Sequence, residues 1–394
     1  MKRLWDKGKP VDELVLDFCV GEDHILDERL VAHDIRASRA HATMLAEQGL
    51  ISKQDHAAID GGLAALAQEH EQGLWSIAKA EEDGHTAIER RLTERIGEAG
   101  ARIHLGRSRN DQVLAALRLW MIETGEELAR AAESVSAALH ALGERQGATP
   151  LPGYTHMQRA MPSSVALWAG GFAAEIEDDA EGIRQALRRA RKCPLGSAAG
   201  YGVPVVTLDR ARTAELLGFD EVHEPVTAVQ LSRGKAEAAV LFEVVLLMQD
   251  LGRLAADVVL FATREFGFVH LADAFTTGSS IMPQKRNPDV FELVRGRATS
   301  AKANLDAAFA LTAKLPSGYH RDLQLIKPPL MEGLDDALAT SRVVAHALTG
   351  LTFEEDLCRA AMTPELYATE RALRLVVDDN LPFREAYRRI AKDS

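Results

Sequence analysis

Residues 277–289 concentrate side chains that can hold a polar ligand. This segment contains two adjacent hydroxyls, Ser279 and Ser280, followed by Lys285 and Asn287. Glycine and two prolines punctuate it and apolar stretches with helical spacing flank it, so the pattern predicts a loop between helices. Binding and catalytic residues concentrate in loops that rigid elements carry. A solvated surface turn is the ordinary alternative for a Gly-Ser-Ser string, so these residue types alone leave both interpretations open.

A second polar group lies in residues 103–112, ahead of a long helical pattern. Ser108, Arg109 and Asn110 would stand at the N-terminus of that helix, where backbone N–H groups and the helix dipole favour an anion. The simpler alternative is an N-cap followed by solvated arginines.

The remaining candidates for a functional site are two histidines and a polar group of residues at the start of a helical segment. His85 follows a run of acids near a helix N-terminus, and His156 lies beside a turn rich in glycine and proline. Histidines in such places are more often structural than catalytic. Gln324 and Lys327 are three residues apart and so share a helix face, shortly after Tyr319. A solvated polar face is the alternative for these three residues.

Taken together, these motifs resemble those of one known family. Residues 277–289 resemble the signature loop of the fumarase/aspartase superfamily, and their Met-Pro-Gln-Lys-Arg-Asn-Pro form is similar to that of the argininosuccinate lyase family. Gly-Arg-Ser-Arg-Asn-Asp-Gln at 106–112, Gly-Tyr-Thr-His-Met-Gln at 153–158 and Glu-Asp-Gly-His at 82–85 resemble further hallmarks. The Tyr, Gln and Lys of residues 319–327 keep the family's spacing. The resemblance covers nearly the whole chain.

The resemblance implies a carbon–nitrogen lyase that splits argininosuccinate into arginine and fumarate, the last step of arginine biosynthesis. The proton to be removed lies next to a carboxylate and is only weakly acidic, so the reaction needs a base and stabilisation of a dianionic intermediate. The implied catalytic residues are Ser279 as base, His156 as acid, Lys285 and, orienting the histidine, Glu292. The residues implied to bind substrate are Ser108, Arg109, Asn110, Thr155, Asn287, Tyr319, Gln324, Lys327 and His85.

No metal-ligand spacing or organic-cofactor motif is visible in the sequence, and the implied chemistry needs neither a metal nor a cofactor. The Gly-rich residues 194–202 match neither the Walker nor the dinucleotide pattern. They resemble the family's own Gly-rich connection, which we expect to pack backbone closely near the site.

Three features depart from the family pattern. Asp23 stands where the family commonly has a substrate-binding serine, and an aspartate would repel a carboxylate and attract a cation. Leu105 replaces a threonine, and residues 352–394 form a C-terminal segment shorter than usual. Another fumarate-releasing lyase of a succinyl-amine therefore stays open as an alternative. The adenylosuccinate branch is disfavoured, because Gln284 stands where that branch usually has a histidine.

Some members of the superfamily have been recruited as structural proteins, so a non-catalytic helical bundle is an alternative of another class. The presence of the implied base, acid and lysine disfavours it.

Bulk composition disfavours other classes of protein. The 394 residues include 46 Lys and Arg against 58 Asp and Glu, a net charge of −12, which argues against nucleic acid or an anionic membrane as partner. Cys19, Cys193 and Cys358 show neither a paired framework nor metal spacing, which favours a reducing cytoplasm. The N-terminus shows no signal-peptide pattern. Charged residues interrupt the apolar residues 236–266, which predicts a buried helix and not a membrane span.

Helical periodicity recurs along the chain, and strand-like alternation is nearly absent, so the sequence predicts an all-α fold. The expected helices include residues 27–47, 53–72, 162–192, 235–266 and 288–313, with a two-helix tail after residue 352. We expect three domains: a helical N-terminal domain (1–106), a central long-helix bundle (107–351) and a short C-terminal domain (352–394).

The helix expected at residues 235–266 is apolar almost all round and would be buried on every side. At 1.5 Å per residue it is roughly 45 Å long, which one chain cannot easily cover. This predicts association with other copies. The family resemblance implies a homotetramer with a tetrameric helical core, whose sites draw hallmarks from three subunits.

Overall fold

Helices make up nearly all the regular structure of this chain. The structure, a computed structural model, describes residues 12–392, so residues 1–11 and 393–394 of the expected terminal domains lie outside the described residues. The α-helices are α1 (Glu13–Val20), α2 (Asp23–Leu26), α3 (Val31–Glu47), α4 (Lys53–Glu71), α5 (Gly84–Ile96), α6 (Glu98–Ala101), α7 (Arg109–Gln146), α8 (Val165–Leu187), α9 (Arg210–Leu217), α10 (Val226–Leu231), α11 (Lys235–Phe261), α12 (Asp289–Thr312), α13 (Lys327–Thr349), α14 (Glu355–Ala360), α15 (Ala368–Asp378) and α16 (Phe383–Ile390). Short 3₁₀ helices precede several of them, notably Asp27–Arg29, Arg102–His104 and Arg321–Ile326.

The strands form three two-stranded sheets. They are β1 (Pro150–Thr155), β2 (Gln158–Ser164), β3 (Lys192–Cys193), β4 (Glu221–Val222), β5 (Val269–Leu271) and β6 (Leu351–Phe353). β1 pairs with β2 and β5 with β6, both antiparallel, whereas β3 and β4 are parallel. The β1–β2 hairpin carries a register shift between Gly153 and Tyr154.

The predicted helix starts and ends are mostly confirmed. α4 begins after Ser52, whose hydroxyl accepts a hydrogen bond from the Asp55 N–H (3.0 Å), as an N-cap does. The helix expected over residues 162–192 is wrong at both ends. Pro162 lies in β2 opposite Pro152, and α8 spans only Val165–Leu187. The tail after residue 352 contains three α-helices, α14, α15 and α16, and not two.

The described chain divides into two compact units. The first comprises Met1–Glu126, described from residue 12 on, with Ile183–Phe242 and Asn304–Leu334. Its core lies where the apolar faces of α3, α4 and α5 meet, and it includes the fully buried Leu45, Ile59, Leu63 and Leu92. Burying each such side chain stabilises the fold by about 1.5–3 kcal/mol. A Cβ at Gly62 would lie 2.7 Å from a Leu92 methyl, so α4 and α5 approach closely there.

The second unit comprises Glu127–Gly182, Glu243–Ala303 and Asp335–Ser394, described to residue 392. An aromatic cluster forms part of its core, and Trp168 contacts both Phe261 and Phe353 within it. The Trp168 indole N–H donates to Asp257 (3.0 Å), which satisfies the one polar atom of that side chain. Tyr154 of β1 packs on Phe266, with ring centroids 5.9 Å apart, and so anchors the β1–β2 hairpin.

Five long helices, α7, α8, α11, α12 and α13, have residues in both units. In the single chain α11 is not buried on every side, because Phe242 and Leu246 are exposed. Within residues 12–392, no helix combines the length and the apolar character needed to cross a membrane. The three-domain division at residues 106 and 351 stays a prediction.

Candidate active site

Five of the predicted substrate-binding residues meet in the first unit. Arg109, Asn110, Tyr319, Gln324 and Lys327 line one small cavity of about 20 Å³. That volume is about enough for a single water molecule, so a substrate needs this part of the site to open. The other lining residues are Asp23, Asp27, Asp83, Val113 and Arg233.

Lys327 is the buried centre of this cavity, where α13 begins. Its ammonium group donates to Asp27 (2.6 Å) and lies 2.6 Å from Asp23, while its side chain is only 2% exposed. Burial raises the pKa of Asp23 to about 6, against the attraction of Lys327. The lysine expected to bind substrate is therefore already neutralised by two carboxylates of its own chain.

Arg109, at the start of α7, is paired in the same way. Its Nε lies 2.6 Å from an Asp83 carboxylate oxygen. Asp83 also caps α5, because its other oxygen accepts a hydrogen bond from the Thr86 N–H (2.8 Å). One carboxylate thus links the N-termini of α5 and α7.

The formal charges around this cavity balance. The three aspartates oppose three cations, Arg109, Lys327 and Arg233. The Arg233 guanidinium also lies 5.8 Å from the centre of the Tyr319 ring. The cavity therefore suits a ligand that carries both positive and negative groups better than a simple dianion.

The sequence motif ahead of α7 forms the expected helix start. The Ser108 hydroxyl accepts a hydrogen bond from the Asn110 N–H (3.3 Å), and Asp111 accepts one from the Ser108 N–H (3.0 Å). The second oxygen of Asp111 accepts from the N–H groups of Gly196 (3.0 Å) and Ala198 (2.8 Å). The Gly-rich connection thus packs its backbone against the start of α7, as its resemblance to the family's connection implied.

His85 is placed differently from the other candidates of this unit. It is 3% exposed and is not among the residues that line the small cavity. Burial, with Arg107 nearby, lowers the pKa of His85 to about 3, so the ring is neutral at pH 7.

The predicted signature loop is confirmed as a loop in the second unit. Thr277 and Asn287 exchange two backbone hydrogen bonds (3.2 and 2.9 Å), which close residues 278–286 into a ring. Inside the ring, the Ser279 oxygen accepts from the N–H groups of Ile281 (3.4 Å) and Met282 (3.2 Å). Backbone donors aimed at this oxygen would stabilise negative charge on it.

An open cavity of about 720 Å³ lies against this loop and the start of α12, and three of the predicted residues line it. Lys285, Asn287 and Glu292 line it, together with Gln284 and Arg286. Ser279, which is half-buried, is not among its lining residues.

His156 stands at the tip of the β1–β2 hairpin. His156 and Met157 both have positive φ (52° and 59°), as the two central residues of a type I′ turn require. Thr155 and His156 are exposed. Within residues 12–392 of this single chain, no hydrogen bond or ion pair joins His156 to Glu292.

Comparison with known proteins gives this geometry its context. A family model described as "Lyase" matches residues 8–302. The argininosuccinate lyase of Sorangium cellulosum (strain So ce56) is 47% identical over 391 residues, which are 99% of this chain and 90% of that protein. The chain belongs to the argininosuccinate lyase family.

Solved structures show the fold that this argininosuccinate lyase family member shares. EDDS lyase in complex with formate matches with a TM-score of 0.83 at 24% identity, over 97% of this chain and 76% of that one. The class II fumarase of Schistosoma mansoni matches with a TM-score of 0.79 at 16% identity, over 95% and 89% of the two chains. The predicted all-α fold of the fumarase/aspartase type is confirmed.

Sequence reasoning missed three charged residues of the small cavity, Asp27, Asp83 and Arg233. Asp27 lies four residues after Asp23, and this i, i+4 spacing of two acids could have indicated a shared partner. Asp83 was visible only as one of several acids at a helix start. For Arg233 no pattern in the sequence indicated burial.

Proposed function

We propose that the chain catalyses β-elimination of argininosuccinate to L-arginine and fumarate, as a carbon–nitrogen lyase. The observation that carries the proposal is the Ser279 oxygen, held among backbone N–H groups in a loop closed by Thr277 and Asn287. The near full-length relationship to an argininosuccinate lyase supports the substrate.

Ser279 is the proposed base. A free serine hydroxyl is a poor base, so its alkoxide needs donors and positive charge around it. The N–H groups of Ile281 and Met282 supply the donors, and Lys285 of the same loop supplies the charge. Asn287, which lines a cavity with Lys285, would hold a substrate carboxylate.

The small cavity of the first unit is the proposed position of the amino-acid end of the substrate. Arginine carries an α-ammonium, an α-carboxylate and a guanidinium, and the cavity offers three carboxylates against three cations. Tyr319, Gln324 and Asn110 add neutral hydrogen-bonding groups. Ser108, Thr155 and His85 stay proposed contacts through the family resemblance.

We propose a homotetramer in which each site gathers residues from three subunits. No hydrogen bond or ion pair joins His156, the proposed acid, to Glu292, its proposed orienting group, within the described part of one chain, which fits partners from other copies. Exposed apolar side chains on the long helices support association, among them Phe242 and Leu246 of α11 and Phe309 of α12. Sedimentation velocity should show a tetramer. An active monomer would contradict the shared site.

A second candidate function is another fumarate-releasing lyase of a succinyl-amine. The observation that favours it is the contact of Asp23 with Lys327, which occupies a cation that the family uses to hold substrate. Under this alternative Asp23 selects an amine other than arginine.

Fumarate release, followed by ultraviolet absorbance, separates these candidates. Purified protein is offered argininosuccinate and adenylosuccinate in separate assays. We expect turnover of argininosuccinate alone. Turnover of neither substrate would reject the proposal in favour of a changed amine or a structural role.

A matched pair of serine variants tests the mechanism. Ser279→Ala should lower kcat by about a hundredfold to ten-thousandfold, because it removes the base. Ser280→Ala removes the neighbouring exposed hydroxyl and should keep most of the activity. Equal activity of the two variants would remove Ser279 from the mechanism.

We also propose that the protein works in the cytoplasm. All three cysteines are free thiols, with Cys193 and Cys358 buried and Cys19 exposed. Free thiols fit a reducing compartment.

A further inference from the structure

A group of potential metal ligands lies in the first unit, apart from the small cavity. His85 and Glu89 are one turn apart on α5, and His104 ends the 3₁₀ helix Arg102–His104. The Glu89 carboxylate oxygen lies 3.7 Å from His85 Nε2 and 3.3 Å from His104 Nδ1. The three ligand atoms lie within 4.8 Å of one another.

These distances fit a four-coordinate ion. Bonds of about 2.0–2.1 Å at tetrahedral angles place ligand atoms roughly 3.3 Å apart. Both contacts of Glu89 are already close to this value. The ligand nitrogens of His85 and His104 must come closer together, and the surface-exposed His104 ring can move to allow this. Two imidazole nitrogens and one carboxylate are a donor set typical of Zn²⁺ and related ions.

The protein's own hydrogen bonds do not satisfy this group. Glu89 Oε2 is the buried oxygen that lies between the two histidines, and within the described part of the chain it accepts no hydrogen bond of good geometry. Buried polar atoms in native proteins almost always have one. The His85 side chain is only 3% exposed.

The surrounding charges permit a cation at this position. The Arg107 and Arg109 guanidiniums both act electrostatically on His85, and Arg107 acts on Glu89 as well. The charge of Arg107 is opposed by two buried carboxylates, Asp34 and Asp111, and its guanidinium donates to a serine hydroxyl. The His104 side chain is 45% exposed, which leaves a path from solvent and room for a water molecule as fourth ligand.

We propose that His85, Glu89 and His104 form a binding site for one divalent transition-metal cation of the Zn²⁺ class. A bound ion would join α5 to the segment that leads into Arg107 and the start of α7.

The site can be tested without any turnover assay. The full-length protein is treated with a chelator, dialysed and titrated with Co²⁺, whose visible d–d absorption reports tetrahedral coordination, and with Zn²⁺ by calorimetry. We expect one ion per chain. His104→Ala and Glu89→Gln should each weaken binding by at least about tenfold, since loss of an outer-shell partner alone typically costs that much.

His140→Ala is the matched control. His140 and Glu177 form an exposed histidine–glutamate pair (3.2 Å) that has no third ligand among residues 12–392, so the variant should bind the ion as the unmodified protein does. His104 is partly exposed, and unchanged circular dichroism will show that His104→Ala keeps the fold. No binding by the unmodified protein, equal binding by His104→Ala, or an equal loss in His140→Ala would each overturn the proposal.

Discussion

Asp179 on α8 is a buried carboxylate whose replacement should stabilise the protein. It is 7% exposed, and one of its carboxylate oxygens has no hydrogen-bond partner within the described residues. Burial, together with the neighbouring carboxylates Asp250, Asp178 and Glu243, raises the pKa of Asp179 from 3.8 to about 7. These effects all act in the same direction.

The free energy follows from the pKa. The pKa in the folded chain lies above the value of 3.8 for the free group. At a pH between these two values the folded state therefore binds more protons than the unfolded state. Stability from Asp179 is therefore fully present below about pH 4 and is lost as pH rises through about 7. The two pKa values differ by about 3, and each pKa unit corresponds to 1.36 kcal/mol, so ionised Asp179 destabilises the folded state by about 4 kcal/mol. Water access lowers this to about 2 kcal/mol.

Asp179→Asn removes this cost without changing the size of the side chain. We expect the midpoint of urea unfolding to rise, with a gain in free energy at pH 8 about twice that at pH 5. Asp178→Asn is the control for charge: Asp178 is exposed on the same helix and acts on Asp179 only through its charge, so its gain should be smaller than that of Asp179→Asn. A gain independent of pH, or an equal gain in Asp178→Asn, would refute the argument from burial.

Three further variants test other parts of the structure. Lys327→Met leaves two buried aspartates without their cation and should cost about 3–5 kcal/mol of stability in urea unfolding, less at a pH where those carboxyls are protonated. Gly234→Ala should lower stability by about 1–3 kcal/mol, because Gly234 has φ +81° and its new Cβ would collide with the Thr312 side chain. Gly278→Ala, with nothing within 4 Å of its Cβ position, should change the melting temperature little and serves as the control.

The sequence predicted the helices well because their apolar periodicity is strong and their ends carry ordinary signals. Ser52 caps α4 and the residues around Ser108 open α7, both through local hydrogen bonds that spacing reveals. The β1–β2 hairpin was missed for a physical reason. Its turn is Thr-His-Met-Gln, without the Asn-Gly or Asp-Gly that normally marks a type I′ turn. Two non-glycine residues at positive φ are visible only in the structure.

The candidate site likewise contains residues that the sequence indicated and residues that only the structure revealed. The structure brings Arg109, Asn110 and Lys327, which motifs with local spacing singled out, around one cavity. The aspartates that neutralise these cations come from distant parts of the chain, and long-range pairing leaves no periodic trace. His156 illustrates the other limit, since its proposed partner Glu292 is not in contact within one chain.

The pairing of Lys327 with Asp23 and Asp27 also bears on how ligands exchange at this position. An ammonium group in water must lose its hydration shell before it binds a carboxylate, and this loss is costly. Lys327 loses its hydration shell when the protein folds, since the side chain is only 2% exposed in the folded state. An incoming carboxylate then replaces one anion by another, and only the difference between the two contacts contributes to affinity. Such a position favours rapid exchange of anions over tight binding of any one of them.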